Sequence, residues 1–550
     1  MKLEAGKRKI KFRLIPLSSF KPKIMEQDSL VEYGARRVII TITAILCALL
    51  EIVDSTIVNV ALNEMKGNLG ATLSEVGWVI TAYAIGNVII VPMTSWLSQQ
   101  FGRRNYFAAS IIIFTVFSFL CGNATNIWEL VFFRLMQGIG GGALLVTSQT
   151  IITESYPIEK RSMAQAIYGL GVIIGPTLGP PLGGYIVDNY SWPYIFYINI
   201  PIGIAAVLMT LQFVRSPKYS EKRKAKDVDW YGIALLAAFV GSLQYILEKG
   251  HEEDWFESKE IVILTIVAVI GFILFLWREL SCKYPVVELR VLKNGNLRIG
   301  TAMSFILGFG LYGSTFIVPL YTQSILGWTA LQSGALMIPA ALTTAVMMPI
   351  IGKLLTRGVK QQFLVSMGLL IFFIYSFWGY KILTPNTGKD DFFWMLMVRG
   401  AGLGLLFIPI TSLSLSTLKG KEIGQGAAFT GMMRQLGGSF GIAAITTFIS
   451  NQTSIHKANI AQHLDANSFD VQQRIAALKA SFVSKGFSPD VALQSAYKLL
   501  DLSVLKQASV LSYMDVFLYL GILFLICIPF VLFVKERKGR EPIDVSEAMH

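Results

Sequence analysis

The chain has little of what most soluble enzymes depend on. Only 15% of its 550 residues are charged, and it holds just four histidines and four cysteines. Cys47, Cys121, Cys282 and Cys527 are scattered, without metal-ligand spacing or a disulfide framework, so neither a metal site nor a disulfide is expected. Nucleotide-binding loops and nucleophile–base pairings are missing, which argues against an enzyme, and no cofactor is expected. No short apolar core with a small-residue cleavage site precedes Val38, so no removable leader is expected. The formal charge of +13 would suit a nucleic-acid binder. The basic residues, however, fall between hydrophobic runs and not on one face, so nucleic acid is not an expected partner.

Apolar sequence dominates. Hydrophobic residues make up 53% of the chain and mean hydropathy is +0.56. That composition belongs to an all-α protein crossing a bilayer many times. Fourteen apolar runs reach spanning length: 37–61, 75–98, 106–122, 128–152, 163–187, 193–214, 230–248, 260–280, 298–320, 332–355, 361–381, 391–416, 425–450 and 512–534. The basic residues of the short loops gather on the side of the N-terminus, which places that side, and with an even span number both termini, in the cytoplasm. Residues 1–36 form a basic arm suited to lie on anionic lipid, and 535–550 a cytoplasmic tail. The exception among the outside segments is 451–511. It is polar yet keeps helix-spaced apolar residues, and is expected to fold as an extramembrane helical hairpin that meets a partner.

The two ends of the chain echo one another. Gly102-Arg103-Arg104 follows run 2, and Gly352-Lys353 with Arg357-Gly358 follows run 10. Run 4 carries Arg134 and Gln137-Gly138, and run 12 carries Arg399-Gly400. Two six-helix bundles (37–214 and 298–534) related by a pseudo-two-fold are therefore expected, with 215–297 contributing two inserted transmembrane helices. Repeated halves around a central site are the architecture of alternating-access transporters.

Charge inside the runs is rare, so each instance needs a reason. Glu51 and Asp54 lie three positions apart on one helical face of the first run. A charge at that depth costs at least ~2.5–3.5 kcal/mol. Two interacting carboxyl groups there are candidates for taking up and releasing a proton; a purely structural pair neutralised by arginines is the bland reading. Arg134 is the natural counter-charge for Asp54 or Glu51. Arg399 and Arg434 are further intramembrane cations, with first-half acids, backbone carbonyls or an anionic substrate group as their possible partners. Between Gly171 and Gly184 stand three prolines and five glycines, including Gly175, Pro176, Gly179, Pro180, Gly183 and Gly184, which predicts a bent, thin helix packed tightly on a neighbour. Asn59, Trp78, Tyr83, Phe305, Tyr312, Phe316 and Met432 are candidate lining for a pocket that accepts bulky apolar guests.

These motifs resemble those of the 14-span drug:proton antiporters of the major facilitator superfamily. Asp54-Ser55-Thr56-Ile57-Val58-Asn59-Val60-Ala61-Leu62 resembles their first-helix motif, and Gly102-Arg103-Arg104 the end of their loop 2–3 motif. Arg134 with Gln137-Gly138 is similar to their span-4 motif, and Gly179-Pro180-Pro181-Leu182-Gly183-Gly184 to their span-5 antiporter motif. The resemblance implies the facilitator fold and export of amphipathic toxic compounds in exchange for protons across a bacterial inner membrane, with Asp54 and Arg134 at the proton-coupling positions. It also implies docking of 451–511 on a periplasmic adaptor that continues to an outer-membrane channel. Two departures stand out: Gln99 and Ser95 replace the usual aspartate and glycine of the loop 2–3 motif, and Glu51 replaces a neutral polar residue. The alternatives are a proton-coupled transporter of one metabolite or lipid, and a non-transporting receptor acting through 451–511.

Overall fold

The computed structural model of the chain describes residues 30–217, 228–465 and 468–532. The tail 535–550 and nearly all of the basic arm lie outside the described residues. The first half comprises α1 (Gly34–Asn68), α2 (Leu73–Phe101), α3 (Arg103–Gly122), α4 (Ile127–Ser155), α5 (Arg161–Asn189), the single turn α6 (Tyr194–Tyr197) and α7 (Asn199–Phe213). A hairpin of α8 (Trp230–Lys249) and α9 (Lys259–Ser281) follows. The second half comprises α10 (Gly295–Ser324), the short α11 (Ala330–Ala335), α12 (Ile338–Thr356), α13 (Gln361–Ile382), α14 (Lys389–Leu415), α15 (Lys421–Gln462), α16 (Phe469–Ser484) and α17 (Pro489–Leu532). No strand occurs among the described residues.

Local sequence sets several of these boundaries. Thr72 accepts from the Glu75 backbone N–H while the Glu75 carboxylate accepts from the Thr72 N–H, a reciprocal cap that starts α2. Asn126 starts α4 in a similar way by accepting from Glu129 N–H at 3.0 Å. Gly102 separates α2 from α3 at φ +80°, a left-handed conformation that favours glycine.

Thirteen segments among the described residues are long and apolar enough to cross a bilayer, so the protein is a multi-pass membrane protein. The fourteenth expected run, 425–450, lies in α15, whose glycines and polar residues keep it out of that set. Its physical reason is position. Helix α15 packs on α10 and α17 within its own half, and on α2, α4 and α8 beyond it, so protein rather than lipid surrounds much of it. A helix so enclosed can carry Thr430, Arg434 and Ser439 where a lipid-facing one could not.

Packing repeats between the halves. Helix α1 packs on α5, α2 on α4, α3 on α4 and α3 on α7; correspondingly α10 packs on α15, α12 on α14, α13 on α14 and α13 on α17. Contacts across the middle are reciprocal: α5 lies on α12, and α15 lies on α2. Hairpin α8–α9 breaks the repeat by seating α8 against both α2 and α15.

The described residues of segment 451–511 are largely helical, and the first and last of its helices are continuations of neighbouring spans. Helices α15 and α17 run without interruption out of their apolar stretches through this segment, with α16 between them and resting on α17. Thr453 bonds Ser512 at 3.0 Å, His456 meets Asp515 at 2.8 Å and Lys457 meets Asp501 at 2.9 Å, so polar contacts hold the two arms together.

Candidate functional site

Helix α1 brings Asp54 into the interior of the first half, where it is fully buried. Arg134 of α4 donates from Nη1 to Asp54 Oδ2 at 2.6 Å. Gln137, one turn further along α4, donates to Oδ1 at 2.9 Å, and Asn199 at the start of α7 donates to the same oxygen at 2.7 Å. The carboxylate thus has three donors from two helices other than its own. The guanidinium is fixed as well: Nε reaches the Val79 carbonyl at 3.2 Å, Nη1 also reaches Gln137 Oε1 at 2.8 Å, and the group stands 4.0 Å from the Tyr83 ring centroid. Ser118 holds Asn199 in turn at 3.0 Å. A buried ion pair survives only when its remaining polar atoms are also satisfied, which this network does for Asp54.

Small residues make the network possible. Gly138 and Gly142 of α4 face the backbones of Tyr83 and Asn87, letting α2 and α4 touch. A Cβ at Gly179 of α5 would stand 2.9 Å from Thr56 Cβ, and one at Gly183 2.9 Å from the Ile57 carbonyl, so α5 lies directly on the acid-bearing helix. Despite Pro176, Pro180 and Pro181, α5 is one continuous helix.

Glu51 is not part of this network. Its Oε1 accepts from Asn87 Nδ2 at 2.8 Å, and its Oε2 is buried without a partner. Arg434 on α15 of the second half lies within electrostatic reach of Glu51, stacks 5.2 Å from the Phe407 ring centroid, and leaves its Nη1 buried and unpartnered. Arg399 takes neither an acid nor a carbonyl. It donates to the hydroxyls of Ser314, at 2.8 Å, and Thr315 on α10, so hydroxyls stand where Arg134 has a carboxylate.

Arg103 forms a buried ion pair with Glu154 at the far end of α4, while the Arg104 backbone N–H reaches Ser216 at 3.1 Å. The proposed pocket residues do not gather. Tyr83 and Tyr312 stand near Glu51. Trp78 meets Tyr245 of α8 at a tilt, 5.2 Å between centroids, Phe305 and Met432 join an apolar cluster with α8, Phe316 packs against the large central core cluster, and Asn59 is exposed. A single pocket lined by all seven is therefore not what the fold builds, because α8 draws three of them to the side. Asn199, Asn87, Ser118 and Glu154 are contacts the sequence reading did not single out. Their polar type within apolar stretches was the available signal.

Buried charges in two six-helix halves with inserted helices define a membrane transporter. Residues 44–442 match the Major Facilitator Superfamily, and the chain belongs to that superfamily. The multidrug export protein EmrB of Escherichia coli K12 is 34% identical over 94% of this chain and 98% of its own length. The fatty acid resistance protein FarB of Neisseria gonorrhoeae is 32% identical, over 91% of this chain and 97% of its own. The crystal structure of the human organic anion transporter MFSD10 matches with TM-score 0.55 at 14% identity, covering 90% of this chain and all of that one. The proton:xylose symporter XylE matches with TM-score 0.57 at 14% identity, covering 94% and 99%. At that identity the two structures speak for the fold alone.

Proposed function

We propose that the protein is a proton-driven exporter of amphipathic toxic compounds, working by alternating access between halves 37–214 and 298–534. The observation that carries this reading is the Asp54–Arg134 pair, buried at the junction of α1, α4 and α7. Protonating Asp54 removes its charge and weakens all three donor contacts together, freeing α1 from α4 and α7. Arg134 is then left facing a neutral acid. That charge imbalance makes the two arrangements of the bundle bind a proton unequally, which is what a gradient needs in order to drive a conformational cycle. Glu51 is a second titratable group on the same helix. The names of the similar proteins, multidrug export and fatty acid resistance among them, support lipophilic cargo.

Gly102, Arg103 and Arg104 act in this reading as the cytoplasmic gate, with Arg103 tying the α2–α3 turn to Glu154. Gly175, Gly179 and Gly183 form the surface on which α1 slides. Both termini lie in the cytoplasm, in the inner membrane of a bacterium. The α15–α17 arms with α16 then project to the opposite side and dock a periplasmic adaptor, through which cargo continues to an outer-membrane channel. The deciding experiment is dye efflux in everted vesicles with and without an imposed proton gradient. Transport indifferent to the gradient overturns the reading.

A further inference from the structure

Two buried side-chain atoms, one from an acid of the first half and one from a base of the second, have no hydrogen-bond partner. Glu51 is 6% exposed and uses one carboxylate oxygen on Asn87, leaving Oε2 without a partner. Arg434, 3% exposed, leaves Nη1 without one. They belong to different halves, α1 in the first and α15 in the second, and lie within electrostatic reach of each other without bonding. Aromatic groups surround them: the hydroxyls of Tyr168 and Tyr312 are in range of both, Tyr83 lies beside Glu51, and Phe407 carries the guanidinium on its face. Asp54, also in range of Glu51, is occupied by its own three donors.

We propose that Glu51 and Arg434 form a head-group subsite for a zwitterionic amphiphile, its ammonium against the Glu51 carboxylate and its carboxylate against the Arg434 guanidinium. The inference rests on the transport reading for its biological meaning and deepens it by naming a cargo class. A buried polar atom without a hydrogen-bond partner is costly, and here one from each half lies within electrostatic reach of the other. A ligand with one positive group satisfies Glu51 but sets a like charge next to Arg434; a ligand with one negative group does the reverse. Only a ligand carrying both satisfies both atoms and adds no net charge to a low-dielectric interior. The aromatic walls suit the apolar tail, and the tyrosine faces suit an ammonium group.

The test uses purified full-length protein and three ligands with one tail: octylamine, octanoate and N-octyl-β-alanine. Binding is followed by intrinsic tryptophan fluorescence, and competition with dye efflux is followed in everted vesicles. Wild-type protein is expected to prefer the zwitterion to either single-charge ligand by about tenfold or more, the scale of one charged contact. Glu51→Gln should abolish that preference and favour octanoate, and Arg434→Gln should favour octylamine. Should Arg434→Gln fail to fold, Arg434→Lys keeps the charge and should retain the zwitterion preference with weaker binding. Equal binding of all three ligands by wild type overturns the proposal, as does a preference that neither substitution alters. The two readings fail separately: gradient-independent dye efflux with an intact zwitterion preference sinks only the export mechanism, and gradient-driven efflux without head-group preference sinks only the subsite.

Discussion

Asp54 and Arg134 are eighty positions apart in the chain and meet at 2.6 Å, with Arg134 1% exposed and Asp54 wholly buried. Two helices are thereby joined by a charge contact that a single proton can undo. Asp54→Asn is expected to insert and keep its fold at reduced stability, since one amide oxygen still accepts while Arg134 loses its counter-charge, and to lose gradient-driven efflux completely. Dye movement in everted vesicles checks this, and wild-type rates in the Asn form would contradict it.

Arg134→Ala removes the counter-charge and leaves the buried acid with the neutral donors Gln137 and Asn199 alone, a loss of about 3–5 kcal/mol for a broken buried pair. Arg134→Lys keeps a charge but surrenders the contacts to Val79 and Gln137 together. The expected order of melting temperature and of transport is therefore wild type, Lys, Ala. Equal behaviour of Lys and Ala forms would remove Arg134 from any role as counter-charge.

Gly179→Val pushes a branched side chain into α1, whose Thr56 Cβ lies 2.9 Å from the position of the first added carbon. Overpacking of this kind costs about 1–3 kcal/mol. Thermal unfolding in detergent should register it, and efflux should fall with it. An unchanged melting temperature would mean that α5 and α1 separate more easily than their packing indicates.

Asp229 lies just before α8, outside the spanning segments. Burial pushes its carboxyl group up, but the Arg278 guanidinium at 3.0 Å and the Gly232 backbone N–H outweigh that and hold it below the ordinary carboxylate range. A depressed folded-state value stabilises above the ordinary carboxylate pKa of about 3.9 and is lost as pH falls through the lower one. Below about pH 4 the wild-type melting temperature should therefore drop more steeply than that of Asp229→Asn. Parallel acid profiles would remove Asp229 as the cause.

Replacing α16 and the arms around it, 451–511, with a short Gly/Ser linker should spare gradient-driven efflux in everted vesicles. In intact Gram-negative cells the same chain should confer no resistance, because cargo would stop in the periplasm. Loss of vesicle transport would assign the arms to the transport cycle instead of to a docking partner.

Much of this was legible in the sequence, for identifiable reasons. Spans are read from run length, and the repeat from Arg134-to-Gly138 and Arg399-to-Gly404 recurring in order. Asp54 and Arg134 stood out because charge within apolar sequence is conspicuous. Asn199 did not: it sits 145 positions from Asp54 and is neutral, so its one local signal is a polar side chain in apolar sequence. Arg434 was visible as a cation, but its approach to Glu51 depends on how one half lies on the other. The run 425–450 and the start of 451–511 belong to one continuous helix, α15, a continuity that the change from apolar to polar sequence hides. Hydropathy marks where lipid is, and α15 is enclosed by protein for much of its length.

Hairpin α8–α9 gives the near-symmetric bundle a front and a back. Its first helix closes over the line where α2 meets α15, whereas the matching line of α5 and α12 is made by the two halves themselves. The two flanks are thus unequal towards the surrounding lipid, one seam carrying an inserted helix and the other none. Where the chain inserts two extra helices therefore fixes which seam between the halves is covered.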